Sequence, residues 1–464
     1  MTRTRKRRII CGVLAAFMLA GAFTGCGKKQ TSSEQVKLTI GGWPKPETNK
    51  KKYEDYQAKL EKFKESHPDI EVETDEYSYN IEQFMARTAS GMNPDLFSVP
   101  LTEPQKLIST GYIRDITKEL SARGFDNALN NQVKEAVSKD GKMYGVPYNT
   151  YMMGLLCNVD MFKQAGLVDE NGVPKYPQTY KELAETAKVL KEKTGQAGFS
   201  IPANSTFGGW MLINIAWSNG VKFMEKDGNG KWKATFNTPE MYETMQYISD
   251  LRWKYDVLPN AVLSGYTDVM KLFGVNQVAM IMHSDVDLET FTKEYKMNKD
   301  SISYTILPAG NKGRCAQLGG AAYLMSEGLS EKQVNAALDW LELLGVGAKM
   351  TDEVLAGKES ELKSLVDDGE IIVKPLLQTW TNKEYNDEIN KIYDKYTNVD
   401  SKFWIADQSK VTLKQEEPAS CQQLYEILTS VMQAVLTDKN ANIPSLVEDA
   451  QTRFQKDYLD KLDV

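Results

Sequence analysis

The chain has 464 residues and a formal net charge of −7. That length exceeds the roughly 250–300 residues at which one hydrophobic core stops growing, so two lobes are expected, and the acidic balance argues against nucleic acid or anionic lipid as a partner. His67 and His283 are the only histidines, which excludes a multi-histidine metal centre, and Cys157, Cys315 and Cys421 are too far apart for a metal knuckle or a disulfide framework, one bridge among them staying open.

Arg3, Arg5, Lys6, Arg7 and Arg8 precede an apolar run, Ile9 to Phe23, too short to span a hydrocarbon core that needs about 20 residues. This pattern reads as a secretion signal. Phe23-Thr24-Gly25-Cys26 resembles the lipobox of bacterial lipoproteins, with Phe23 where such sequences usually carry leucine. The resemblance implies that residues 1–25 are removed, that Cys26 is lipidated and that residues 26–35 form a linker. The alternative is a membrane-helix end with an inert thiol. Past the linker, Val36 to Ile40 alternates like a strand until Gly41-Gly42-Trp43-Pro44 breaks it. Tyr53, Tyr56, Leu60 and Phe63 recur at helical spacing. Ile70 to Glu73 reads as a strand, Ile81 to Ala89 as a helix and Pro94 to Val99 as a third strand; this order predicts parallel pairing with helices packed on the sheet.

Asp140-Gly141 is a tight-turn dipeptide in a hairpin running from Val137 to Asn158. Thr179 and Glu182 form a capping box for a helix through Lys193, Phe199 to Ile201 is a short strand, and Thr238-Pro239 opens another helix. Asp227-Gly228-Asn229-Gly230 looks like half a calcium loop, but Phe236 stands where the bidentate glutamate is required, so a hairpin turn is expected. Strands follow at Val278 to Met282, Ser303 to Leu307 and Ala321 to Met325. Ser330 and Gln333 cap a helix to Leu344, after which the pattern is mostly helical, closing on an amphipathic helix around Leu446 to Leu462.

The segments SGMNPDLFSV, GYIRDIT, GKMYGVPYNTYMMGLLCNVDMFKQAGL, YPQTYKELAETAKVL, VAMIM, ILPAG, AALDWLELL and EDAQTRF occur in that order. In that order the chain resembles the extracellular solute-binding proteins that feed carbohydrate ABC importers, the maltose-binding-protein-like group, over nearly the whole mature chain. The resemblance implies an α/β, two-lobe periplasmic-binding-protein-like fold with hinge strands and a central cleft. It implies a first lobe from residues 36–146 plus 283–325 and a second from 147–282 plus 326–464, with hinge closure over the ligand. It further implies a monomer without a cofactor, whose partners are a carbohydrate, ABC permease subunits and the membrane through the lipid anchor, with no nucleic acid.

A sugar ring has an apolar C–H face and a rim of hydroxyls, so its site needs flat aromatics and planar polar groups. Trp43, just past the first strand, stands at the carboxyl end of an α/β lobe; the alternative is a tryptophan folded over its own lobe. Tyr148 lies at the crossover, as a ligand contact or as hinge packing. Gly208-Gly209-Trp210 opens a helix with Trp217 two turns on, a spacing that suits ligand contact or core. Gly319-Gly320 matches the place where the family lets backbone approach ligand, or is an ordinary bulge, and Tyr425 falls where relatives carry a stacking ring. His283 and Asp285 follow a strand after which relatives often show a stacking aromatic; here Val286 falls near that position, so His283 and Asp285 grip hydroxyls, or Trp380 or Trp404 supplies the platform, or the histidine is structural. No Walker A motif, Gly-x-Ser-x-Gly elbow or zinc signature is present. The expected function is therefore lipid-anchored capture of a carbohydrate, an oligosaccharide in the first instance, for delivery to a permease. The rivals are a secreted glycoside hydrolase and a surface adhesion lipoprotein.

Overall fold

In the computed structural model, which describes residues 36–125, 128–347 and 351–462, Val36–Ile40 buries Leu38 and Ile40 while Lys37 faces water. It pairs in parallel with Ile70–Thr74 and with Leu96–Pro100. Helix Lys50–Ser66 joins the first two strands; the Asn49 side chain accepts from the Lys52 N–H, and Leu60 and Phe63 are its buried stripe. The helix ends at His67, whose ring stacks on Phe63 at 4.2 Å. The strand–helix–strand–helix–strand start is thus present as the periodicity predicts. The signal segment and Cys26 lie outside the described residues.

Two sheets organise the molecule. The first has six strands: Thr412–Lys414, Cys315–Met325, Leu96–Pro100, Val36–Ile40 and Ile70–Thr74 in order, with Gly145–Met152 also paired to Cys315–Met325. The second has four, in the order Met280–His283, Gly154–Asn158, Ile302–Ile306 and Trp404–Ile405. The chain passes from one to the other where Gly145–Met152 runs through Met153 into Gly154–Asn158. The chain returns where Ile302–Ile306 is followed by Cys315–Met325, which lies in the first sheet, its start paired with Thr412–Lys414 and its end with Leu96–Pro100. The Asp140-Gly141 turn has both residues at positive φ, 53° and 77°, the conformation of a two-residue hairpin loop. At the calcium look-alike, Met224–Lys226 pairs with Trp232–Ala234, and the Asp227 carboxylate accepts from the backbone of Asn229 and Lys231, as a hairpin turn requires.

Two segments pack elsewhere than the division read from sequence places them. Ile302–Ile306, assigned with residues 283–325 to the first lobe, is buried along four of its five residues and pairs with Gly154–Asn158 and Trp404–Ile405 in the second sheet. Buried on both faces, the strand runs through the inside of that sheet with a neighbour on each edge. Residues 331–347 and 351–396, assigned with 326–464 to the second lobe, pack on the first sheet: Ala336, Ala337, Trp340, Leu341, Tyr385, Ile389 and Ile392 share a core with Leu38, Ile40 and Leu96. The reason is local. Cys315–Met325 ends in the first sheet, and the connection to helix Glu331–Leu343 is too short to carry that helix away from it. The last two long helices, Cys421–Thr437 and Ile443–Asp457, pack with Tyr180–Thr194, Ser205–Asn219 and Pro239–Trp253 in a second core that continues across Met152, Met153, Leu318 and Ala322 of the crossing strands.

Candidate functional site

The crossing strands, the end of Leu96–Pro100 and the first turns of Ser205–Asn219 enclose a pocket of about 260 Å³. Its shape begins with two glycines. A Cβ on Gly209 would lie 2.3 Å from the Tyr425 carbonyl oxygen and one on Gly208 would lie 2.7 Å from Thr429 Oγ1, so only glycine lets this helix approach Cys421–Thr437 so closely. The Gly209 N–H donates to Thr429 Oγ1 at 2.7 Å. With that face of the helix committed, Phe207 and Trp210 line the pocket. Phe207 stacks on Tyr266 at 4.8 Å, and Trp210 stands edge-on to both rings. Opposite them is Tyr151, paired across the strands with Gly319. A Cβ on Gly319 would fall 2.1 Å from the Tyr151 ring, so the bare glycine is what lets the ring lie there. Gly320 has φ +127°, open to glycine and strained for other residues, and marks a bulge where the pairing shifts register.

One carboxylate anchors the polar wall. Glu416 Oε1 accepts from Trp210 Nε1 at 3.0 Å and from Gln317 Nε2 at 2.8 Å, while among the described residues Oε2 receives only the Cys421 thiol at 3.5 Å. Burial raises the Glu416 pKa against the lowering effect of these bonds. Tyr151 is pushed up to about 12, chiefly by burial and then by the charges of Asp287, Glu416 and Asp285. Behind Tyr266 lies His283, stacked on it at 6.0 Å; its Nδ1–H donates to the Ser284 carbonyl at 2.8 Å and its buried Nε2 has no hydrogen-bond partner among the described residues. Burial lowers the His283 pKa, keeping the ring neutral at physiological pH, and raises Asp285 to about 6. Among the described residues no cluster of histidine, cysteine and carboxylate side chains is arranged to hold a metal. A second hollow of about 340 Å³, at the ends of the last two long helices, is lined among the described residues by Ala434, Thr437, Asp438, Asn442 and neighbours that include no ring and no other charged residue.

A family model for the bacterial extracellular solute-binding proteins matches residues 58–353. The chain belongs to that family. Its folded part therefore works in the periplasm or at the cell surface. This solute-binding protein is 25% identical over 291 residues to a lactose-binding protein of Rhizobium radiobacter, covering 61% of this chain and 64% of that one. It is 31% identical over 219 residues to the sn-glycerol-3-phosphate-binding periplasmic protein UgpB of Brucella abortus, covering 44% and 46%. The chain spans about half the length of the curated relatives it matches. Among solved structures, an ABC transporter solute-binding protein of Thermotoga lettingae bound with α-D-tagatose superposes with a TM-score of 0.60 at 18% identity, over 91% of this chain and 98% of that one. The fold is that of the two-lobe solute-binding proteins.

Of the residues singled out from sequence, the solute-binding protein brings Trp210, Gly319 and Gly320 to the pocket wall. Trp43 is not there. It is 5% exposed, stacked on Trp340 at 5.5 Å and edge-on to Tyr56, because Gly42 at φ +70° turns the chain back over its own lobe. Tyr148 packs in the hinge, its hydroxyl 2.6 Å from Ser98 Oγ and its ring on Tyr323 at 4.4 Å. Trp217 is buried, its Nε1 donating to Glu417 at 3.0 Å and its ring beneath Lys414. Tyr425 is fully buried at the helix contact with Gly209. His283 backs Tyr266 without lining the pocket, and Asp285 is half-buried beside it with its buried Oδ1 lacking a partner. Trp380 and Trp404 are both core residues. Sequence reasoning missed Tyr151, Phe207, Gln317, Glu416 and Gln422. Phe207 adjoins the same glycine pair that flagged Trp210, and Tyr151 lies in the same crossover segment as Tyr148; Glu416 was hidden in a charge-rich stretch that reads as solvated surface.

Proposed function

We propose that this protein is a receptor that captures a carbohydrate in the pocket between its lobes and hands it to ABC permease subunits, with Cys26 holding it to the membrane through a lipid. The observation that carries the reading is the juxtaposition of Trp210, Phe207 and Tyr151 with Glu416, Gln317 and Gln422 around one pocket formed on the crossing strands. Rings receive the C–H face of a pyranose and the planar amides and carboxylate receive its hydroxyl rim. Glu416 on the wall repels a phosphate or a uronate, which favours a sugar of the kind named for the Rhizobium relative over the phosphoester named for the Brucella relative. A pocket of about 260 Å³ sits just below the usual 300–1,000 Å³ of ligand sites, which favours a mono- or disaccharide, or the end of a longer chain.

Hydrolysis of a glycoside would need two carboxyl groups roughly 5–9.5 Å apart across the bond. Glu416 is the single carboxylate among the described residues that line the pocket, which supports binding over turnover. A thermal-shift screen of the mature chain against mono- and disaccharides tests the reading. A binding sugar at 100 times its Kd adds about 2.7 kcal/mol of stability and raises the melting temperature. No response across a broad panel, or release of product from it, would contradict the receptor reading. For the anchor, Cys26→Ser is expected to move the protein from the membrane fraction to the soluble fraction; unchanged membrane association would contradict lipidation.

A further inference from the structure

The polar wall of the pocket presents acceptors with nothing to accept. Gln317 is 2% exposed, and its side chain is oriented by the bond from Nε2 to Glu416 Oε1 at 2.8 Å. Reversing the amide would set its oxygen against the carboxylate, so the orientation is determined. Its Oε1 is then a buried acceptor without a hydrogen-bond partner among the described residues. The backbone of Gln317 is fully used, its N–H donating to Asn214 Oδ1 at 2.7 Å and its carbonyl accepting from Met153 N at 3.0 Å. Among the described residues Glu416 Oε2 meets only a thiol, which is a weak donor. None of the described residues lining the pocket is a lysine or an arginine.

Resting on the carbohydrate reading above, we infer that the pocket selects a sugar bearing a protonated primary amine, whose ammonium group is held by Gln317 Oε1 and Glu416 Oε2. The argument is one of hydrogen count and charge. A hydroxyl supplies one hydrogen, while an ammonium supplies three and can satisfy both acceptors from one nitrogen. It also neutralises a carboxylate that is otherwise desolvated without a cation, the circumstance in which removing or supplying one partner of a buried charge matters most. The surrounding charge has the same sign: Glu103 acts on Glu416 and Cys421, and Asp285 and Asp287 act on Tyr151. The indole N–H of Trp210 and the Gln317 amide N–H both bond to Glu416 Oε1, so Oε2 is the carboxylate oxygen left to meet the ammonium.

Calorimetric titration of the full mature chain with matched pairs tests this: D-glucose against D-glucosamine, D-galactose against D-galactosamine, and cellobiose against its 2,2′-diamino counterpart, with N-acetylglucosamine as an uncharged control. In at least one pair the amino sugar is expected to bind ten or more times tighter than the neutral sugar, and N-acetylation to abolish the gain. Glu416→Gln, nearly isosteric and checked for an unchanged melting temperature without ligand, is expected to remove the preference. Neutral sugars binding as tightly as the amino sugars or tighter in every pair would overturn the ammonium assignment while leaving the carbohydrate reading standing. A preference that survives in Glu416→Gln would also overturn it. No binding of either kind of sugar would overturn both.

Discussion

Trp210 and Trp43 are chemically the same residue with opposite fates, and the difference is testable. Trp210 lines the pocket with its indole N–H on Glu416, so Trp210→Ala is expected to weaken saccharide binding at least tenfold, as loss of a stacking ring and an oriented donor. Trp210→Phe keeps a ring and loses the donor, and should fall between the two in a calorimetric titration. Trp43 is instead sandwiched against Trp340 and Tyr56, so Trp43→Ala should cost about 3–5 kcal/mol of stability in denaturant melts and leave the affinity of the folded protein unchanged. The two tryptophans cannot be told apart by residue type, since each follows a pair of glycines. What separates them is where those glycines point the chain, and that depends on partners more than a hundred residues away. Asp285 gives a pH test. Burial raises its pKa from 3.8 to about 6, so the folded state holds a proton that the unfolded state has lost between those values. The stability from that proton is complete below about pH 4 and disappears as pH rises through about 6. Asp285→Asn should therefore flatten the fall in melting temperature across that window; a variant with the wild-type slope would contradict the assignment.

At the scale of elements, local signals were readable and long-range ones were not. The Thr179 hydroxyl accepts from the Glu182 N–H at 3.1 Å while the Glu182 carboxylate takes the Gln178 N–H at 2.8 Å, and Ser330 with Gln333 forms a reciprocal capping box. Both caps are encoded within a few residues and are legible for that reason, although at Thr179 the expected box is not reciprocal, the Glu182 carboxylate taking the N–H one residue before the cap. Which sheet receives Ile302–Ile306 is encoded by edges contributed from residues 154–158 and 404–405, far off in the chain, and the alternation of apolar residues carries no record of it. The site shares this property. Gly319 and Tyr151 meet only because Cys315–Met325 and Gly145–Met152 pair in one register, broken by a bulge at Gly320. Gly319→Ala should displace the Tyr151 ring and lower saccharide affinity, since the new methyl would overlap it. Gly320→Ala, at φ +127° and 2.8 Å from the Asn149 carbonyl oxygen, should cost about 1–3 kcal/mol of stability. Equal melting curves and affinities for wild type and both variants would show that the bulge does not shape the pocket.

For the whole molecule, length already required more than one core, and the order of landmarks pointed to two lobes with strands running between them. The physical content of that architecture is that Leu96–Pro100 with the turn after it and helix Ser205–Asn219 contribute Pro100, Thr102, Phe207 and Trp210 to one cavity. A ligand that touches both can draw them together, with Tyr148 and Tyr323 packed at the hinge between. The measurement that tests this most directly is a crystal structure of the mature chain with the saccharide that gives the largest thermal shift. The account predicts a sugar ring against Trp210 with a polar group in hydrogen-bond reach of Glu416. A saccharide seated elsewhere, such as in the hollow beside Asp438 and Asn442, with the pocket at Trp210 unfilled, would contradict it.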